Sequence, residues 1–140
     1  LRVKDAAGRT LDSNFYALSA VPDLLDNDKY YWATTPVKSH GDLTALASLP
    51  PAEVTVKTRA AAPENGRRCV DAELRNASGA VAFMVEPELY RPGTGELALP
   101  VFWSDNFVTL LPGEARALRA CYEGPAAELR LRGWNLKAGI

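Results

Sequence analysis

The sequence lacks a long apolar run and a surplus of charge of either sign. Its 16 Lys and Arg residues nearly balance its 17 Asp and Glu residues, so no electrostatic field points to a nucleic acid or to an anionic membrane surface. No apolar run approaches the roughly 18 residues that a membrane-spanning helix requires. The composition therefore predicts neither nucleic acid nor membrane among the partners.

Residues that bind metals are also scarce. The single histidine, His40, lies in the loop-like stretch SHGD, away from cysteines and paired carboxylates. The two cysteines, Cys69 and Cys121, are 52 positions apart and show neither a CxxC motif nor zinc spacing. We therefore expect no metal and no cofactor, and the cysteines are either buried thiols or one disulfide.

What the sequence does contain is an alternating pattern that begins at residue 53. Apolar residues tend to recur at every second position there, and turn signals arrive about every ten to fifteen residues. The predicted strands are EVTVKTR (53–59), RRCVDAELRN (67–76), AVAFMVEPELY (80–90), LALPVFW (97–103), FVTLL (107–111), EARALRACY (114–122) and AELRLRGWNL (127–136). About seven strands with hairpin-like turns predict an all-β, immunoglobulin-like antiparallel β-sandwich over residues 50–140.

Two of these strands show which face should be buried. In RRCVDAELRN, the side chains of Val70, Ala72 and Leu74 share one face, and charged residues and Cys69 share the other. In AVAFMVEPELY, the predicted inward side chains are Val81, Phe83, Val85 and Leu89. Pro87 indicates that this strand has an edge position or a bulge.

The first 50 residues follow a different pattern. Residues 1–19 read as a β-hairpin about a turn at 6–8, and residues 20–49 as an ordered linker with a helical turn in DLTALASL. An isolated hairpin is marginally stable, so we expect 1–19 to be the end of a preceding domain. The start at Leu1, which reads as mid-strand, favours a fragment of a longer protein.

Several segments together resemble a known family. They are SNFYALS (13–19), YYWATTPVKSHGDLTALASLP (30–50), AFMVEPELY (82–90), LPVFWSDNFVTLLPGE (99–114) and RGWNL (132–136). In the same order, they resemble the C-terminal region of glycoside hydrolase family 2, nearest to exo-β-D-glucosaminidases and β-mannosidase-like enzymes. The resemblance covers essentially the whole chain.

The resemblance implies a place for this chain in a multidomain enzyme. It implies that residues 1–19 are the final hairpin of a fourth, immunoglobulin-like domain and that 50–140 are a fifth. The catalytic glutamates of such retaining enzymes lie on a (β/α)₈ barrel, which takes about 250 residues and cannot fit here. We therefore expect a non-catalytic domain that packs on the other domains of its parent enzyme and frames the substrate cleft.

Carboxylates of this chain could imitate a glycosidase pair. Glu86 and Glu88 lie two apart on one strand, and Glu96 and Glu114 flank the WSDN segment. Spacing does not exclude a pair, but no concave apolar setting that would raise one pKa is evident. The favoured interpretation is a solvated face.

The segment WSDN, residues 103–106, has two interpretations. In one, Trp103 stacks on sugar, while Ser104, Asp105 and Asn106 lie in a loop that reaches a substrate cleft. In the other, which we favour, the loop is a corner of the sandwich, with Asp105 and Asn106 bonded to local backbone and Trp103 in the core or at a domain interface.

Three further aromatics, Tyr30, Tyr31 and Trp32, together with Trp134, leave the same choice between sugar binding and packing. We favour packing against a neighbouring domain for the first three. For Trp134 we favour packing in the core or at its rim.

The fold implied by the resemblance bears on the cysteines. In an immunoglobulin-like sheet, the second strand usually neighbours the strand that follows the PGE turn, and the two run antiparallel. Cys69 and Cys121 would then lie side by side. A cross-strand disulfide would suit a secreted or periplasmic enzyme, and the Ala-, Arg- and Leu-rich composition favours a bacterial source.

Three functions follow as hypotheses. The first is the non-catalytic accessory domain of a family 2 exo-glycosidase. The second is an independent carbohydrate-binding module that holds an oligosaccharide on its exposed aromatics. The third is a purely structural or adhesive immunoglobulin-like module.

Overall fold

In the computed structural model, which describes residues 1–29 and 32–137, the strands fall into two groups. The chain divides into two compact units, Leu1–Ser48 and Leu49–Ile140. The boundary lies close to the predicted start of the sandwich at residue 50.

The first unit opens with the expected β-hairpin. Strand β1 (Arg2–Lys4) pairs antiparallel with β2 (Thr10–Ser13). Their connection is held by Asp5, whose carboxylate accepts hydrogen bonds from the backbone N–H groups of Ala7 at 3.0 Å and Arg9 at 2.8 Å. An aspartate that bonds the backbone two residues ahead is a common way of fixing a turn.

The rest of the first unit is more regular than a linker. Strand β3 (Leu24–Leu25) pairs with β4 (Val37–Ser39), and neither strand was predicted, because each is too short to show alternation. Short 3₁₀ helices occupy Asn27–Lys29 and Thr44–Ser48, and the second is the helical turn predicted in DLTALASL. Among the described residues, no helix has the length and apolar character needed to cross a membrane.

The second unit is the predicted β-sandwich. Its strands are β5 (Val54–Glu64), β6 (Arg67–Asn76), β7 (Ala82–Tyr90), β8 (Val101–Trp103), β9 (Val108–Leu110), β10 (Ala115–Tyr122) and β11 (Glu128–Arg132). One sheet has the order β5-β6-β10-β8 and the other β11-β7-β9. Every neighbouring pair is antiparallel, as an immunoglobulin-like fold requires.

Several strand boundaries differ from the sequence prediction, and β11 ends at Arg132 instead of residue 136. Strand β5 continues to Glu64 instead of ending at residue 59, and the turn is confined to Asn65 and Gly66, which have φ angles of 51° and 76°. Asn and Gly tolerate this left-handed conformation best, so the strand runs through Pro63 up to the turn. Strand β8 is shorter than predicted and begins only at Val101.

The buried face of β7 also differs from the prediction. Ala82 and Val85 are buried, whereas Val81 and Phe83 are only partly buried. The register against β9 shifts between Ala82 and Val85, and Met84 has a φ of 52°. This bulge inserts a residue and changes which side chains point inward.

Pro87 lies beyond the last pair of β7 with β9 and is paired only with Leu131 of β11. The predicted edge position or bulge is therefore present.

The core between the sheets consists of two adjoining apolar clusters. The first contains Ala52, Val54, Ala72, Leu74, Ala82, Val85, Val108, Leu110, Leu118 and Leu131. The second contains Leu89, Ala98, Ala120 and Tyr122. Trp103 and Leu129 pack against both. Burying one large aliphatic side chain contributes about 1.5–3 kcal/mol, so this core is the main source of stability in the second unit.

Candidate functional site

Trp103 lies at the end of β8, where strand alternation directs its ring inward. The side chain is partly buried and packs against both apolar clusters. Strand β8 holds it there because Trp103 is paired with Ala120 of β10, which is itself buried. In this position the indole packs within the sandwich.

The polar residues after Trp103 bond chiefly to nearby groups. Ser104 Oγ accepts a hydrogen bond from the backbone N–H of Arg119 at 2.9 Å. Asp105 accepts from the N–H of Asn106 at 2.9 Å and from Arg116 Nη1 at 3.1 Å. Asn106 accepts from the N–H of Phe107 at 2.8 Å. These are the contacts of a corner between strands, the arrangement favoured from the sequence.

The other predicted aromatics lie apart in the chain. Tyr30 and Tyr31 fall outside the described residues. Trp32 is 91% exposed and Trp134 is 61% exposed. The ring of Trp134 makes an edge contact with Phe83, with centroids 6.2 Å apart, so it lies on the rim of the sandwich with much of its surface open.

Asn135, beside Trp134, joins three segments of the second unit. Its Nδ2 donates to the carbonyl oxygens of Pro50 at 2.7 Å and Val81 at 2.8 Å. Its Oδ1 accepts from the N–H of Phe83 at 2.9 Å. This role was missed from the sequence, although the GWN motif that contains it was noticed.

Asn76 is a second polar residue whose role was missed from the sequence, in which it only ends the predicted strand 67–76. It has no exposed surface. Its Nδ2 donates to the carbonyl oxygens of Ala80 at 2.7 Å and Leu110 at 2.9 Å, and its Oδ1 accepts from the N–H and hydroxyl of Ser78. The buried amide is therefore fully used in holding the turn after β6 against β9.

The two cysteines meet as the strand order requires. Cys69 of β6 and Cys121 of β10 are direct partners in the antiparallel register and are joined by a disulfide. Both residues are buried, although they lie on the outer face of the four-stranded sheet. A carboxylate oxygen of Glu64 lies within 4.8 Å of both sulfur atoms. Because the sulfurs are bonded to each other, they are not thiolates that could ligate a metal.

A shallow polar groove of about 520 Å³ crosses the outer face of the same sheet. Its centre is Asp71, which accepts hydrogen bonds from Arg119 Nε at 2.8 Å and Arg59 Nε at 3.2 Å. The hydrogen bond from Arg119 and the further bond from Arg59 hold the pKa of Asp71 below its usual value of 3.8. The groove is therefore lined by charges that largely satisfy one another.

A smaller pocket of about 250 Å³ adjoins this groove. We call it the Glu64 pocket; its lining includes Glu64, Asn65, Arg67, Phe102, Ser104 and Arg119. The guanidinium of Arg67 stacks on the Phe102 ring, 4.2 Å from its centroid, and the Phe102 side chain is 50% exposed. Of its lining residues, the sequence had indicated only Trp103, Ser104 and Cys121, each for another role, because the pocket joins residues from four strands.

The predicted carboxylate pairs occupy structural positions. Glu88 accepts a hydrogen bond from the Tyr90 hydroxyl at 2.9 Å and lies 3.5 Å from Arg132 Nη1. The bond to Glu88 raises the pKa of Tyr90. Glu114 accepts from the N–H of Leu111 at 2.9 Å within the PGE turn. Glu88 and Glu114 therefore hold a strand and a turn in place, and the Glu88 side chain is only 11% exposed, unlike the solvated face that was predicted.

Known proteins of similar sequence share this architecture. The family model described as the exo-beta-D-glucosaminidase Ig-fold domain matches residues 32–136. Exo-beta-D-glucosaminidases of Arthroderma benhamiae and Streptomyces avermitilis are 36% and 34% identical to the chain, over 98% and 96% of its length. The chain spans only 15% and 16% of those relatives.

Solved structures give the same relationship. The crystal structure of Amycolatopsis orientalis exo-chitosanase CsxA superposes with a TM-score of 0.79 and 32% identity, over 95% of this chain and 16% of that one. The match to the family model, which extends from residue 32 through all seven strands of the sandwich, agrees with the sheet order found here. The chain therefore belongs to the family of exo-β-D-glucosaminidase Ig-fold domains.

Proposed function

We propose that this chain is the non-catalytic C-terminal domain of a secreted family 2 exo-β-D-glucosaminidase. In that role it packs on the other domains of the parent enzyme and frames the cleft in which a glucosamine residue is removed from a chitosan-type chain. The observation that carries the proposal is the family match over residues 32–136, together with a length of only 15–16% of the relatives.

The apolar surface of the first unit supports a packing role. Among its described residues only Asp26 is buried, whereas large apolar side chains are open to solvent. The most exposed are Leu1 at 86%, Leu18 at 86%, Val21 at 70% and Trp32 at 91%. Side chains of this kind gain free energy when another protein surface covers them, and neighbouring domains of the same enzyme are the natural cover.

The chemistry of the described carboxylates supports a non-catalytic role. The carboxyl pKa values that are displaced, those of Asp5, Asp42 and Asp71, are all lowered by hydrogen bonds, from Arg9, Thr44 and Arg119 first. A general acid in a glycosidase instead needs a raised pKa. These three carboxylates therefore stabilise the fold through hydrogen bonds.

Secretion rests on the disulfide and the predicted bacterial origin. Disulfides form and persist mainly outside the reducing cytoplasm. Finding the native protein in the culture medium or periplasm, with Cys69 and Cys121 oxidised, would support this part of the proposal, and an exclusively cytoplasmic location would contradict it.

The test of the main proposal has two measurements. The 140-residue chain should not hydrolyse an aryl β-D-glucosaminide, whereas native protein captured with an antibody against this chain should have a mass near that of its relatives and should hydrolyse it. Turnover by the purified chain that persists through repurification would contradict the non-catalytic role. A native mass near 15 kDa would contradict the multidomain setting.

The exposed Trp134 favours a second candidate, a carbohydrate-binding module. Its ring is held at the rim by the edge contact with Phe83 and is 61% exposed. Slower migration of the chain in a gel that contains soluble chitosan, abolished by Trp134→Ala, would support it. Unchanged mobility on chitosan and mannan would exclude it.

A further inference from the structure

The Glu64 pocket combines the groups that recognise an amino sugar. It lies on the outer face of the four-stranded sheet, and its Glu64, Arg67 and Phe102 were not among the candidate residues named from the sequence. Cys121 of the disulfide is part of its lining, and Phe102, Cys121, Cys69 and Ala61 lie in one row across the four strands.

The charges that line the pocket leave one group available to a ligand. Arg119 donates two hydrogen bonds to Asp71. Arg67 stacks on Phe102, and its Nε lies 3.6 Å from Glu123. Within residues 1–29 and 32–137, the Glu64 carboxylate accepts no hydrogen bond and forms no close ion pair, although its charge interacts with that of Arg119. It can therefore pair directly with a cationic ligand.

The apolar surface opposite that carboxylate suits a sugar ring. Phe102 is half exposed, and Arg67 covers one face of its ring and so fixes its orientation. Residues opposite one another on neighbouring strands lie about 4.5–5.5 Å apart, and the Glu64 oxygen is within 4.8 Å of Cys121 Sγ. The carboxylate and the ring therefore line one pocket of about 250 Å³, which is on the scale of a single sugar ring.

Polar groups at the rim can bind hydroxyls. Ser104 Oγ accepts the N–H of Arg119 and keeps its own hydrogen to donate. The Asn65 side chain lies at the turn that ends β5. Arg67 Nε is buried and lies 3.6 Å from Glu123, so the groups open to sugar hydroxyls are those of Ser104 and Asn65.

We propose that the Glu64 pocket binds a glucosamine residue of a β-1,4-linked chain, with the ammonium at the Glu64 carboxylate and the ring against Phe102. The choice of glucosamine rests on the proposed function, whereas the preference for a cationic sugar rests on the pocket alone. Glu64 is the one carboxylate in the described lining of the pocket, and hydrolysis takes a pair, so the pocket holds the polymer and leaves the bond intact.

The test is calorimetric titration of the whole chain, at about pH 6 where carboxylates are ionised, with the glucosamine trisaccharide and with its N-acetylated counterpart. We expect the amino trisaccharide to bind and the N-acetylated one to bind at least about tenfold more weakly. Glu64→Gln and Phe102→Ala should each weaken binding by about tenfold or more. Glu73→Gln, on the same outer face but outside the pocket, should leave the affinity unchanged.

Melting temperatures and the hydrolytic activity of the native parent distinguish the possible outcomes. Unchanged melting temperatures would show that the variants are folded. Absence of binding to the wild-type chain, or equal binding by Glu64→Gln, would overturn the pocket. If the native parent hydrolyses glucosaminides but the chain does not bind, only this inference fails. If the chain binds but the parent does not hydrolyse them, only the proposed function fails.

Discussion

At the scale of single residues, Asn76 has the strictest hydrogen-bonding requirement. Its amide is wholly buried and uses both its donor and its acceptor atoms. Removing the amide leaves the carbonyl oxygens of Ala80 and Leu110 without this donor in a buried setting, which is more costly than losing an exposed hydrogen bond.

Asn76→Ala should therefore lower the free energy of unfolding by about 2–4 kcal/mol. The measurement is urea unfolding followed by circular dichroism. Asn106→Ala is a matched control, because among the described residues the Asn106 side chain accepts only from the next residue in a surface turn, and it should cost less than about 1 kcal/mol. Equal effects of the two substitutions would contradict the role of Asn76.

The lowered pKa of Asp71 predicts how the stability of the folded chain depends on pH. Its pKa in the folded chain lies below 3.8, because Arg119 and then Arg59 donate hydrogen bonds to the charged carboxylate. A lowered folded-state pKa adds stability at pH values above the unfolded-state pKa, and that stability is lost as the pH falls through the folded-state value. The loss belongs to the region below pH 3.8.

Asp71→Asn should lower the melting temperature at pH 7, and its difference from wild type should shrink as the pH falls below 3.8. Melting curves recorded from pH 7 to about pH 2 test this, with Glu73→Gln on the same outer face as the control. A difference that stays constant across the acid range would show that the carboxylate charge is not what stabilises the sheet.

At the scale of elements, the disulfide joins two strands that are already paired. Cys69 and Cys121 close a loop of 52 positions between β6 and β10. Reducing it, or replacing both cysteines by alanine, should cost about 2–4 kcal/mol of stability, chiefly because the unfolded chain gains freedom. Unfolding with and without reductant measures this cost.

Alkylation and mass spectrometry provide the independent check on that bond. The unreduced, unfolded chain should take up no alkylating reagent until reductant is added. Two freely alkylated thiols without reductant would contradict the disulfide.

The strands show which parts of the fold can be predicted from sequence. Strand β6 was predicted at its observed bounds, because its alternation is strict and turn residues flank both ends. The prediction of the inward face of β7 was partly wrong. A bulge at Met84 shifts the alternation of inward and outward side chains, and the hydrophobic pattern gives no sign of it. The extension of β5 to Glu64 was missed because the run of three alanines and Pro63 after residue 59 does not alternate.

The candidate sites also differ in whether the sequence alone can indicate them. A motif such as WSDN is visible because its residues are contiguous, and its corner geometry follows from turn chemistry. The Glu64 pocket is assembled from β5, β6, β8 and β10. Its residues are brought together only by strand order, so no local pattern could indicate it. Asn135 was missed for the same reason, since its partners are 52 to 85 positions away.

At the scale of the whole molecule, the two units differ in how much apolar surface they bury. The buried apolar residues lie from Ala52 to Leu131, whereas Asp26 is the one buried residue among those described in Leu1–Ser48. A segment of this size without a core cannot offset the entropy of ordering its backbone. The second unit has two sheets, a continuous core and a disulfide.

We therefore expect residues 49–140 to fold when expressed alone, with cooperative thermal unfolding and a dispersed NMR spectrum, and residues 1–48 alone to show neither. The intact chain serves as the control for the dispersion and melting temperature of the sandwich. A cooperative transition in the 1–48 peptide would show that the first unit is self-sufficient, and its exposed Leu18 and Trp32 would then no longer argue for cover by other domains. Failure of 49–140 to fold would show instead that the sandwich depends on the first unit, and the boundary at residue 48 would not separate independent folding units.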